Sequence, residues 1–222
     1  MMIFQLLQIL DGLNAVQRVA IYALPVLFAI TVHEASHGYA ARHFGDMTAW
    51  NEGRVSLNPL RHIDPIGTLL IPGLTMLLGG ILFGWAKPVP VNFGKLRHPK
   101  SDMFWVAAAG PGSNLVMALL WALAIKISPL LPSFAALPLA LAGAAGVMIN
   151  VVLMVLNLLP LPPLDGGRIA VSLLPHPWAW RLARVEPYGF IILLVLMFTQ
   201  ILGKILWPFI MTTIGLISWL IF

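Results

Sequence analysis

Cysteine is absent from this 222-residue chain, and charged residues are scarce. Without cysteine there is no disulfide framework and no thiolate metal site, so any bound metal must be held by histidine and carboxylate. Asp, Glu, Lys and Arg together make up 9% of the residues, against about 25% in soluble domains. That scarcity excludes an ordinary soluble globule. Acidic residues are fewest, eight against thirteen Lys and Arg, for a net charge of +5. No run of like charge is long enough for a nucleic-acid patch, whereas membrane proteins hold Lys and Arg in their cytoplasmic loops. The excess therefore points to a lipid bilayer and not to nucleic acid. The marks of a signal peptide are also missing: residues 1–10 have no basic residue ahead of the apolar run and no small-residue cleavage site behind it.

What the chain does have is apolar length, 59% of its residues being hydrophobic. Segments at 16–44, 66–85, 103–127, 134–159 and 188–206, with a shorter tail at 208–222, predict an all-α polytopic membrane protein. At about 20 residues per span, that makes about five to six membrane helices in one domain. Residues 1–15 are expected to form an interfacial or partly inserted helix broken near Asp11-Gly12, 16–167 the core, and 188–222 the C-terminal membrane helices. Pro25 sits inside the first segment, where a membrane helix tolerates a kink. The second is interrupted by Pro72-Gly73 and Gly79-Gly80.

Ionisable residues inside a span are costly and count first as functional candidates. The first segment carries His33-Glu34-Ala35-Ser36-His37. Residues four apart share a helix face, so His33 and His37 can ligate one metal while Glu34 reaches an activated water as general base. With six histidines and only Glu34, Glu52 and Glu186 as glutamates, a chance match is of order 0.002 per chain. Catalytic zinc usually takes three protein ligands and keeps one open position. The best third candidate is Asp165, after the Pro160-Leu-Pro162-Pro163 stretch and before Gly166-Gly167. Prolines without N–H and permissive glycines let the chain leave a helix and turn a carboxylate inward. The bland alternative for Asp165 is a helix-terminal residue in a turn.

At these motifs the chain resembles the site-2 protease family of intramembrane metalloproteases. The resemblance rests on His33 to His37, on Asn157-Leu-Leu-Pro160-Leu-Pro162-Pro163-Leu-Asp165-Gly166, and on Gly110-Pro111-Gly112-Ser113-Asn114. It implies one Zn2+ held by His33, His37 and Asp165, with Glu34 activating water and Asn157 near the site to bond substrate or the developing oxyanion. It also implies peptide-bond hydrolysis in or near transmembrane segments of membrane proteins. The form is compact, without room for a PDZ domain between the motifs or a CBS pair at the end.

The two motifs constrain topology. His33 and His37 lie near the end of the first segment, and Asp165 just past the end of the fourth. To meet, those ends must lie on one side, so the second segment must not cross; a re-entrant or β-hairpin element is expected there. Ten of the thirteen Lys and Arg then gather on the metal side, leaving Arg18, Lys126 and Lys204 opposite. The basic side is expected to be cytoplasmic, in the cell membrane. His43, His62, His98 and His176 fall in expected loops, and His62 is the one singled out as a secondary metal or gating candidate. Trp85 and residues 87–92 read equally as an interfacial anchor beside a hairpin or as a strand edge for an extended substrate. A zinc-binding membrane protein without hydrolysis, either a metal transporter or an inactive scaffold, is the alternative. Transport would need further ligands, and no acidic residue or histidine occurs from Tyr188 onward.

Overall fold

Asn14 opens the first long helix through a reciprocal cap. Its side chain accepts from the Gln17 N–H, and the Gln17 side chain accepts from the Asn14 N–H. From that cap α2 runs Ala15–His43 with Pro25 inside it. Ahead of it, α1 (Met2–Asp11) buries Ile3, Leu6 and Leu10, spaced three and four residues apart, in the main hydrophobic core. Arg18 donates to the Asp11 and Leu13 carbonyls and so satisfies the exposed end of α1.

The computed structural model describes residues 2–64, 67 and 87–222. The expected re-entrant or β-hairpin element and Trp85 lie outside the described residues. After α3 (Thr48–Asn51) come α4 (Pro99–Ile127), α5 (Ser133–Asn157), α6 (Asp165–Leu173), α7 (His176–Ala183), α8 (Glu186–Phe198) and α9 (Ile201–Ile221). Among the described residues there is no strand, and residues 87–92 run without regular structure. Four described helices, α2, α4, α5 and α9, are long and apolar enough to cross a membrane.

Two expectations for the C-terminal region need correction. The break falls at Thr199-Gln200, where Gln200 takes a left-handed φ of 60°, and not between 206 and 208. Gly203 and Pro208, the punctuation visible in sequence, both lie inside α9. The tail at 208–222 thus belongs to a 21-residue helix of spanning length, while α8, with 13 residues, falls short of the roughly 20 a span needs. Lys204 is also misplaced by the charge count. Lys126 donates to the Ile221 carbonyl at the far end of α9, about 25 Å of helix away from Lys204.

α4 is central, packing against α2, α5, α6 and α9. His37 meets the Val106 carbonyl and His33 meets Asn114, so α2 and α4 run antiparallel. Trp121 lies against Gly146 and Asn114 against Asn150, so α4 and α5 are antiparallel too. α2 and α5 therefore end together. The chain between α2 and α4 also begins and finishes at that end: the Arg97 N–H donates to the Phe44 carbonyl at 3.0 Å, and the Lys87 N–H to the His62 carbonyl at 2.9 Å. The Arg54 guanidinium ties the same stem by donating to the Arg61, Lys87 and Pro88 carbonyls. Asp46 fastens the far end of the 87–92 segment through the Asn92 N–H. Burial alone would raise its pKa, but the Thr48 hydroxyl and N–H, the Asn92 N–H and the Lys95 charge hold it below the usual carboxylate range.

Close approach of α4 and α5 depends on Gly146, whose missing Cβ would sit within the Trp121 indole. A Gly146→Val substitution should therefore cost about 1–3 kcal/mol or more by overpacking. The expected readout is a lowered thermal unfolding midpoint in detergent.

Candidate metal centre

Three buried or half-buried groups converge where α2 passes the end of α5. His33 and His37 stand one turn apart on α2 with their rings edge to face. Asp165 arrives from the other motif, not as a turn residue but as the first residue of α6. Its entry is tight. Side chains at Gly166 and Gly167 would run into the Leu158, Leu159 and Leu161 backbone, so the two glycines let α6 begin directly on the preceding turn.

The ligand atoms form a small triangle. His33 Nε2 and His37 Nε2 are 3.1 Å apart, and Asp165 Oδ2 is 3.3 Å from each. Tetrahedral zinc with bonds of about 2.0–2.1 Å sets its ligand atoms roughly 3.3 Å apart, so the triangle matches one face of such a tetrahedron. The hydrogen bonding agrees. His37 Nδ1 lies 2.8 Å from the Val106 carbonyl, which can only accept, so the neutral ring carries its proton there and turns the Nε2 lone pair inward. Asp165 Oδ2 is buried and has no hydrogen-bond partner, despite its proximity to both rings. Lone pairs and a carboxylate oxygen packed this closely repel one another unless a cation lies among them. The residues present therefore fit a zinc ion, and they are the one metal-capable cluster among the described residues.

Glu34 borders the same cavity of about 220 Å³. Its Oε2 accepts the Val89 N–H at 2.8 Å, which leaves Oε1 for another donor. Asn157, the last residue of α5, lines the cavity and donates one amide hydrogen to the Leu153 carbonyl; its second N–H is not needed for that bond. Gly110 forms the α4 wall, and a Cβ there would collide with Nε2 of His37 and with Cε1 of both imidazoles. Pro88 and Pro90 have no N–H, and that of Val89 is committed to Glu34. A peptide pairing with this segment as a strand edge would thus find few donors.

All five residues expected from the motifs line this one cavity. His62 is not in the cluster: it is buried, with Nε2 2.7 Å from the Ser56 carbonyl. Sequence reasoning missed the Val89 N–H, the Val106 carbonyl, Asn150 and Arg168. Arg168 lines the cavity, pairs with Glu186 at 3.0 Å and stacks over Phe93. Backbone groups carry no sequence signal. Asn150 does carry one, as an amide in the apolar interior of α5.

Purified protein should contain close to one zinc per chain. Asp165→Asn should lower that content sharply. Gly110→Ala should do likewise without replacing a ligand, because its methyl would push both imidazoles out of place; elemental analysis after dialysis checks both.

The chain is 40% identical to "Putative zinc metalloprotease YwhC" of Bacillus subtilis, over 83% of each protein. It is 32% identical to Rip2 of Mycolicibacterium smegmatis, which bears the same description, over 87% of this chain and 74% of that protein. For Rip2 of Mycobacterium tuberculosis the identity is 32% over 87% of this chain and 70% of the relative. No family model matches the chain, and no solved structure does.

Proposed function

The chain belongs to the zinc metalloprotease family to which YwhC and Rip2 are assigned by name, and we propose that it is an intramembrane endopeptidase of the site-2 protease type. Its substrates would be membrane proteins or membrane-associated peptides, cut in or near a transmembrane segment. The observation that carries this is the triangle of His33, His37 and Asp165 with Glu34 beside it in one cavity, next to helices long and apolar enough to span a bilayer.

His33, His37 and Asp165 would hold the ion. Zinc, when bound, polarises a carbonyl and acidifies water to a pKa of about 7. Glu34 supplies the base. With Oε2 held by the Val89 N–H, its carboxylate is oriented and Oε1 can accept a proton from water, then deliver it to the leaving amine. The uncommitted N–H of Asn157 is suited to the developing oxyanion. A substrate helix must unwind locally before its carbonyl can be reached, because helical carbonyls are engaged within the helix.

The site would face the cytoplasm in the cell membrane. Lys and Arg crowd the connections at the metal end, Arg42, Arg54, Arg61, Lys87, Lys95 and Arg97 among them. A metal transporter would need a path of further ligands, and the described residues hold no second cluster. An inactive scaffold would not need Glu34 at the cavity wall.

Two experiments test this. Glu34→Gln should keep zinc while cleavage of a reconstituted transmembrane substrate falls about 10²–10⁴-fold; undiminished cleavage would remove Glu34 from the chemistry. Because the chain has no cysteine, Lys95→Cys provides a single labelling site at the metal end. It should react with a membrane-impermeant maleimide in inverted vesicles and stay protected in intact cells.

A further inference from the structure

Behind His33 lies a buried line of amides that the catalytic reading does not use. His33 Nδ1 is 2.6 Å from Asn114 Oδ1. Asn114 Nδ2 is 2.9 Å from Asn150 Oδ1, and Asn150 Nδ2 is 2.8 Å from the Gly146 carbonyl. Both asparagines are fully buried, at 0% exposure. Two amides in apolar spans are costly unless every group is satisfied, and here they join α2, α4 and α5 in one chain of bonds.

The direction of that chain follows from its anchors. The Gly146 carbonyl can only accept, so Asn150 must turn its NH2 toward it and its oxygen toward Asn114. Asn114 must then present its NH2 to Asn150. The Ala29 carbonyl, 3.4 Å from the same nitrogen, imposes the same orientation independently. Asn114 is left with only its oxygen for His33, and an oxygen can only accept. Two backbone carbonyls thus settle both amide orientations, which otherwise rest on assignment.

We propose that Asn114 and Asn150 are positioning residues that lock the neutral His33 ring with its proton on Nδ1, so that Nε2 presents its lone pair to the metal. An unassisted neutral imidazole favours the proton on Nε2, the tautomer that cannot ligate through that atom. For His37 the Val106 carbonyl does this directly. For His33 the polar link reaches through α4 into α5, so the helix that leads to Asp165 also orients the first histidine. The proposal rests on the metal-centre reading, but its first readout does not.

In metal-free protein at about pH 8, above the ordinary histidine pKa of about 6.5, 15N NMR of the ring nitrogens distinguishes the tautomers, with His33→Gln assigning the signals. His33 should carry its proton on Nδ1. Asn114→Leu should move it to Nε2 and weaken zinc binding about 10–100-fold in a chelator competition. Asn150→Leu should give a smaller loss, since the Ala29 carbonyl still holds Asn114. A proton on Nε2 of wild-type His33 overturns the proposal even if no variant folds, as does wild-type zinc affinity in a folded Asn114→Leu protein. Wild-type protein that shows the Nδ1 proton yet binds no zinc would support the relay and remove the metal reading instead.

Discussion

Two imidazole nitrogens and a carboxylate oxygen about 3 Å apart, in a bundle poor in charge, form the constraint around which this protein is arranged. Such a cluster repels itself without a cation, and it cannot be assembled from one helix. His33 and His37 come from α2, while Asp165 comes from the start of α6, beyond the end of α5. Both long helices must therefore finish at the same end of the bundle. α4 runs back between them, and the connection from α2 to α4 returns to the place where it began. The Phe44–Arg97 and His62–Lys87 backbone bonds and the three-carbonyl clasp of Arg54 close that return.

Small residues and prolines make the arrangement physically possible. Gly146 lets α5 approach Trp121 on α4, and Gly110 clears the α4 wall in front of the two imidazoles. Gly166 and Gly167 let α6 start against the backbone of the proline turn, which delivers the Asp165 carboxylate inward at once. The polar groups around the site are matched: Asn114 with His33 and Asn150, Asn150 with the Gly146 carbonyl, Glu34 with the Val89 N–H. The exception among the cluster's atoms is Asp165 Oδ2, and it is the atom a metal would satisfy.

Chemistry in this cavity depends as much on backbone as on side chains. The Val106 carbonyl orients His37, the Val89 N–H aims Glu34, and the Gly146 and Ala29 carbonyls orient the amides behind His33. None of these is a choice of side chain, so none leaves a mark in the residue pattern. They arise only where two elements distant in sequence come within hydrogen-bonding reach.

Composition and spacing by themselves determined the membrane class and the histidine pair with its intervening glutamate, and they pointed to Asp165 as the residue that joins the pair. These are local matters: spans announce themselves by apolar length, and a helix fixes which residues share a face. The return of the chain between α2 and α4 was also legible, because the two motifs could not otherwise meet. Tertiary structure alone decided that Asp165 opens a helix, since close packing on the 158–162 backbone and not any capping residue starts α6. It alone placed the C-terminal break at Gln200, where no glycine or proline marks it, and carried Pro208 within α9. The amide line from Gly146 to His33 likewise exists only because α2, α4 and α5 pack at matching depth, a relation between helices that no single stretch of sequence contains.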